Sequence, residues 1–179
     1  MIRVIAGTAK KRKLISNKVA IRPTSDRIKE TLFNLLGDIN ETNFLDLFAG
    51  TGNIGIEAIS RGCSSVYFVE SSSIHCNIIK ENLILTGFEK KGKVIRKMVK
   101  KGLFKVFKEN GFHFDIIFAD PPYEVGIVQK ILDTIDFDIL ADGGIYVLQH
   151  SIRENAGNKA KKEVRIGDTL LSFYGRKDL

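Results

Sequence analysis

The chain contains only two cysteines, three histidines and three prolines, and no apolar run approaches the roughly 20 residues that a bilayer span requires. Cys63 and Cys76 have neither a metal-ligand nor a CxxC redox spacing, which reads as two reduced thiols of a cytosolic protein. His75, His113 and His150 form no HExxH or other local ligand pattern, so no catalytic metal is expected. The opening "MIRVIAGTAKKRKL" has too short an apolar run for a signal peptide, and its charges follow that run instead of preceding it. The expectation is a cytoplasmic protein with no membrane association. No repeat or low-complexity segment appears, and 179 residues suffice for one domain with a sizeable core.

Acid is scarce where base is dense. The net charge is +7, and among the first thirty residues Arg3, Lys10, Lys11, Arg12, Lys13, Lys18, Arg22, Arg27 and Lys29 face only Asp26 and Glu30. A second cluster, from Lys90 to Lys108, contains no acid at all. Such clustering suits a phosphate-rich partner, because every neutralised phosphate releases counterions.

Strand-like runs occur at "FLDLF" (44–48), "SVYFVE" (65–70), "KVIRK" (93–97), "FDIIFA" (114–119) and "GIYVLQH" (144–150), with helix-like stretches between them. The clearest helix begins after Ser71 to Ser73, which are N-cap candidates, and stops at Gly87. Strands alternating with helices predict an α/β fold, a parallel sheet with helices on both faces. The closing "KKEVRIGDTLLSFYGRKDL" predicts two antiparallel strands at a sheet edge, joined at Gly167-Asp168. Ahead of the sheet, "RPTSDRIKETLFNLL" reads as a helix opened by Thr24 or Ser25, with Ile28, Leu32, Leu35 and Leu36 on one face. The first twenty residues read as a short strand pair or a basic arm. Residues 1–37 thus form an arm and helix packed on a Rossmann-like domain spanning 38–179.

Ligands of open parallel sheets bind beyond the carboxyl ends of the strands, where strand order reverses. There stand Gly50, Gly52 and Gly55, a GxGxxG spacing that brings backbone close to a ligand, with Phe48, Ala49 and Thr51 in the same loop. Glu70, followed by Ser71, ends the second strand where a carboxylate can accept two ribose hydroxyls. Met98 and Val99 follow the third. A nicotinamide dehydrogenase and a methyltransferase using S-adenosylmethionine both fit that pattern. Asp46, four residues before Gly50, would repel a pyrophosphate and attract a cationic amino acid moiety, which favours the sulfonium cofactor.

Beyond the fourth strand come Asp120, Pro121, Pro122 and Tyr123. Adjacent prolines lack amide hydrogens and hold the backbone stiffly, so the Asp120 carboxylate and the Pro121 carbonyl can stand as two fixed acceptors. With the Tyr123 ring beside them, they suit an exocyclic amine on a planar base.

"DLFAGTGNIG" followed by "DPPY" resembles the Rossmann-like methyltransferases of exocyclic amines. With "RVIAG...RKL", "RPTSDRIKETLFNLL", "VYFVE" and "GDTLLSFY", nearly the whole chain is similar to the RsmD family, the 16S ribosomal RNA guanine-N(2) methyltransferases. The resemblance implies a seven-stranded, mostly parallel sheet with its last strands reversed, and S-adenosylmethionine cupped by Asp46 to Gly52 with Glu70 on its ribose. It further implies, as substrate, a guanine of 16S rRNA in the small ribosomal subunit, and a segment with Arg22, Thr24, Asp26 and Arg27 that closes over cofactor and substrate. Lys10, Lys11, Arg12 and Lys13 would grip phosphates. The chain departs from the family after the third strand: "IRKMVKK" places Met98 and Val99 where Asp or Asn and a small residue usually meet the adenine amine. A monomer is expected. The rival readings are methylation of a DNA adenine or cytosine or a protein glutamine, an NAD-dependent oxidoreductase, and an RNA-binding module without catalysis.

Overall fold

The computed structural model describes residues 2–16, 25–122, 126–154 and 160–176. Seven strands form one sheet: β1 (Asn43–Leu47), β2 (Ser65–Glu70), β3 (Gly92–Arg96), β4 (Phe114–Ala119), β5 (Leu140–Ser151), β6 (Lys162–Ile166) and β7 (Thr169–Gly175). Their spatial order is β3-β2-β1-β4-β5-β7-β6. The first five are mutually parallel, whereas β7 runs antiparallel to both β5 and β6. Strand order therefore reverses between β1 and β4, whose carboxyl ends lie side by side. The last two strands form the expected edge hairpin, turning at Gly167 with φ of 63°, a conformation that glycine adopts without steric cost.

Alternation along the strands sorts the core into two layers. Phe44, Val66, Phe68, Phe118, Val147 and Leu171 face one side, against α1 (Asp26–Leu36), α2 (Asn53–Ser60) and α3 (Ser73–Thr86). Leu45, Val69, Ile117, Ala119, Tyr146 and Leu148 face the other, against α4 (Lys101–Glu109) and α5 (Ile127–Leu132). Helix ends follow local chemistry: Ser25 and Ser72 accept amide hydrogens of Ile28 and His75, and Gly87 ends α3 in the left-handed conformation.

The described N-terminal residues are a strand pair in miniature, bridged at Arg3 and Lys13 and turning at 7–10. Ile2, Val4 and Leu14 enter the first core layer. The face of α1 differs from its apolar periodicity. Its fully buried residues are Ile28, Lys29, Leu32 and Phe33, while Leu35 and Leu36 are only partly buried. Lys29 is admitted because its ammonium meets the Arg3 carbonyl at 2.5 Å, Asn53 Oδ1 at 2.9 Å and Glu57 Oε2 at 3.5 Å. The buried Glu57 carboxylate also accepts the amides of Ile5 and Ala6 and the Arg61 guanidinium. Burial pulls the Lys29 pKa below its ordinary value, opposed by Glu57 and Asp26. This lysine thus belongs to a buried clasp joining α1, α2 and the N-terminal segment, and drops out of the basic surface expected for a phosphate partner.

Gly55 shows how closely α2 lies on the sheet. A Cβ there would meet the Phe68 ring at 2.3 Å and Val66 Cγ1 at 2.8 Å. Gly55→Ala should destabilise the protein by about 1–3 kcal/mol through overpacking, seen as a lower denaturation midpoint at unchanged m.

Candidate functional site

The carboxyl ends of β1, β2 and β4, the segment after β3, and helix α5 enclose a cavity of about 600 Å3. Its wall contains Asp46, Phe48, Ala49, Gly50, Thr51, Glu70, Ser71, Met98, Val99, Asp120 and Pro122. Sequence positions from 46 to 122 are brought together because parallel strands end on one edge. Gly52 and Gly55 are not on the wall. Gly52 turns the chain into α2 at φ of 80°, and the Gly55 position is filled by the β2 side chains beneath it, so packing and turning account for these two glycines. Pro121 is buried and also off the wall. Tyr123, Arg22 and Thr24 lie outside the described residues.

The glycine loop is fixed from below. Phe48 takes φ of 60°, which is uncommon for a bulky residue and costs on the order of 1–3 kcal/mol. The Ala49 amide then donates to the Val69 carbonyl and the Gly50 amide to Glu70 Oε2, at 3.1 and 2.9 Å. Glu70 Oε1 accepts the Ser72 amide at 2.8 Å. This carboxylate therefore ties the end of β2 to the loop after β1. Nothing among the described residues stands close above Gly50: a Cβ there would have as its one neighbour within 4 Å the Phe48 carbonyl, at 4.0 Å. That open space permits a ligand to approach the backbone.

Asp46 is almost wholly buried and accepts the Gly55 amide at 2.9 Å. Burial is the main force on its carboxyl, pushing the pKa up to about 8; the Gly55 hydrogen bond opposes it, and the charges of Asp120 and Glu70 add to it. Burial thus favours the protonated form of Asp46 in the free cavity.

Other wall residues were not read as site residues from the sequence. Asn53 lies at the start of α2 with its Oδ1 on Lys29, and Lys97, Lys100 and Lys130 are cationic positions around the cavity. Asn82, fully buried, donates to the Thr51 carbonyl and exchanges two hydrogen bonds with the backbone of Ile15, fastening the N-terminal segment to the glycine loop. An Asn within a helical run gives no hint of a tertiary role until its neighbours are known.

The expected phosphate-binding residues are set apart from the cavity. Lys10, Lys11, Arg12 and Lys13 are exposed, and the adjoining turn is held by Ser60 at the far end of α2. Arg27 is exposed, while Asp26 pairs with Arg3 at 3.1 Å. The second basic cluster is divided. Lys105 pairs with Glu109 and Lys108 with Asp136 and Asp138, whereas Lys97 and Lys100 reach the cavity wall. Among the described residues no group of three His, Cys, Asp or Glu side chains is placed to hold a metal, and no helix is long and apolar enough to cross a membrane.

The family model described as conserved hypothetical protein 95 matches residues 2–175. The chain belongs to this family. It is 37% identical over 137 residues to the ribosomal RNA small subunit methyltransferase D of Haemophilus influenzae, a match covering 75% of this chain and 70% of that protein. Among solved structures, a hypothetical protein of Thermus thermophilus superposes with a TM-score of 0.85 at 27% identity, over 98% of this chain and 99% of the other. An RNA methyltransferase of Salinibacter ruber, solved in complex with S-adenosyl-L-homocysteine, shares the fold with a TM-score of 0.65 at 16% identity, over 85% of this chain and 92% of that one. The seven-stranded Rossmann-like architecture is thus common to this family member and a methyltransferase with little sequence in common.

The buried acid yields a test. The folded protein keeps the Asp46 proton up to about pH 8, whereas the unfolded chain releases it near 3.8. Folding stability from this group is full below the lower value and is lost as pH rises toward the higher one. Asp46→Asn keeps an oxygen for Gly55. Compared with this variant by denaturant unfolding, the wild type should lose stability from about pH 5 to about pH 8, by at most roughly tenfold in the unfolding equilibrium per pH unit.

Proposed function

We propose that the protein transfers a methyl group from S-adenosylmethionine to the 2-amino group of a guanine in small-subunit 16S rRNA, as a cytoplasmic monomer. The observation that carries this reading is the meeting of Asp120 and Pro122 with the glycine loop and Glu70 on one cavity wall. An amine-holding motif and a nucleoside-holding motif share one space. The name of the Haemophilus relative favours ribosomal RNA as the class of substrate.

The residues present fit the cofactor. Gly50 leaves room for a ligand against the backbone, the Glu70 carboxylate stands beside that loop, and Asp46 is an acid whose burial a cationic group would relieve. Asp46 to Gly50, with Glu70, Met98 and Val99, would hold it. When bound, S-adenosylmethionine supplies an electrophilic methyl group on a sulfonium sulfur.

The chain's own contribution is positioning. A guanine amine is a poor nucleophile because its lone pair is delocalised into the ring. The Asp120 carboxylate and the Pro121 carbonyl accept hydrogen bonds from its two hydrogens and leave the lone pair directed at the methyl position; once the N–C bond forms, Asp120 takes the one proton that nitrogen releases. Asp120 also faces the positive charge that grows on nitrogen, an effect worth about one to three orders of magnitude in rate. Tyr123 stacks on the base once it has left its own stack, at about 1–3 kcal/mol. Arg22, Thr24, Asp26 and Arg27 flank the entering nucleotide, and Lys10 to Lys13 hold phosphates at some distance from it.

Incubating the protein with labelled S-adenosylmethionine and unmodified small ribosomal subunits, followed by nucleoside analysis, should give label as N(2)-methylguanosine. Label on adenine or cytosine, or NAD binding without S-adenosylmethionine binding, would overturn the assignment. Asp120→Ala should retain less than about a tenth of the wild-type rate while its cofactor affinity stays nearly unchanged. Replacing Lys10, Lys11, Arg12 and Lys13 with alanine should weaken RNA binding and flatten its salt dependence, by about 0.7–0.9 on a log–log plot for each phosphate left without its cation.

A further inference from the structure

Of the three histidines, one reaches the cavity. His113 is exposed just before β4, and the buried His150 ring is bonded at both nitrogens, to the Ser151 carbonyl and the Ser172 hydroxyl. His75 is on the cavity wall with Glu70, and its side chain is only 15% exposed. Its ring nitrogens make no hydrogen bond among the described residues.

The first turn of α3 sets this ring beside Glu70. Ser72 is the N-cap: its amide donates to Glu70 Oε1 at 2.8 Å, and its hydroxyl accepts the His75 amide. His75 thereby brings Nδ1 to 3.9 Å from the same Oε1. A nitrogen lone pair facing a carboxylate is repelled, so the tautomer that suits this position carries its hydrogen on Nδ1. The gap is too long for a hydrogen bond, and short enough for one oxygen to bond to both groups.

Glu70 has acceptor capacity left for such an oxygen. Oε2 accepts one backbone amide, from Gly50, and Oε1 accepts one, from Ser72. The Ser71 hydroxyl, 3.4 Å from Oε1, is beyond the usual O–H···O range. A carboxylate offers about four lone-pair sites, so each oxygen keeps one for a vicinal diol.

We propose that His75 is a positioning residue for the cofactor, whose Nδ1–H donates to the oxygen of a ribose hydroxyl while Glu70 accepts that hydroxyl's hydrogen. The inference rests on the S-adenosylmethionine reading above and adds the residue that completes the ribose contact. A hydroxyl is both donor and acceptor, and Glu70 answers only the first of these. A donor and an acceptor meeting on one oxygen distinguish a hydroxyl from a hydrogen at that carbon, and fix the direction in which the hydroxyl points. The ribose is thereby tied to the glycine loop, because the same carboxylate takes the Gly50 amide.

Calorimetric binding of S-adenosyl-L-homocysteine to the full chain tests this without turnover. His75→Phe keeps a ring of similar size and removes both nitrogens. Its denaturation midpoint without ligand should be unchanged, and its Kd for S-adenosyl-L-homocysteine should rise by about three- to tenfold, the loss of one neutral hydrogen bond. The 2′-deoxy and 3′-deoxy analogues of that ligand locate the hydroxyl. For one of the two, wild type and variant should bind alike within about twofold, since the hydroxyl that His75 meets is gone; for the other the gap should persist. A histidine that only shapes the turn would weaken all three ligands by the same factor. If His75→Phe fails to fold, His75→Ala carries the same comparison. A variant Kd within about twofold of wild type for S-adenosyl-L-homocysteine, or an equal loss for all three ligands, would overturn the inference while leaving the cofactor assignment standing. A wild-type protein that binds none of the three overturns that assignment, and this inference with it.

Discussion

Three carboxylates at the ends of three adjacent parallel strands repel one another, and the upper half of the molecule is arranged around holding them in place. Glu70 ends β2, Asp46 lies in β1 and Asp120 follows β4. Glu70 is held by the amides of Gly50 and Ser72, and Asp46 by the amide of Gly55. Backbone donors are an economical way to keep acids together, because they add no cation that would occupy the cavity. For Asp46 the donor is not enough to offset burial beside two other acids, and its pKa is raised.

A second constraint fixes what surrounds that site. The clasp of Lys29 and Glu57 joins α1, α2 and residues 3–6, and Asn82 joins residue 15 to Thr51. Both ends of the described N-terminal segment are thus connected to elements that border the cavity. Removing Glu57 would leave the buried Lys29 ammonium without its nearest counter-charge, a loss of about 3–5 kcal/mol. The basic side chains on this segment consequently have a fixed distance to Asp120, set by the length of α2.

The sheet was legible because its signals are local. Apolar runs of five or six residues, broken by Gly, Asn or Asp, identified the parallel strands, and a two-residue turn containing glycine identified the edge hairpin. The wall residues Asp46, Gly50, Glu70, Met98 and Asp120 were legible too, since in a parallel sheet a strand's carboxyl end is itself an address. Long-range chemistry was hidden. Lys29 counted as one more surface cation, because its partner Glu57 is 28 residues away and belongs to another helix. His75 read only as a histidine outside any metal-ligand pattern, and its place on the cavity wall beside Glu70 follows from the turn that Ser72 caps.

Gly55 bears on how such chains are recognised. The third glycine of the GxGxxG spacing is not itself on the cavity wall, and its small size answers to the Phe68 ring. Selection for a stable fold alone would preserve it. A descendant that had lost Asp120 and all transferase activity would still carry an intact glycine signature, and would be mistaken for an active enzyme by any search that relied on it. The glycine spacing of this chain therefore reports its fold, and the residues at the strand ends have to be read separately.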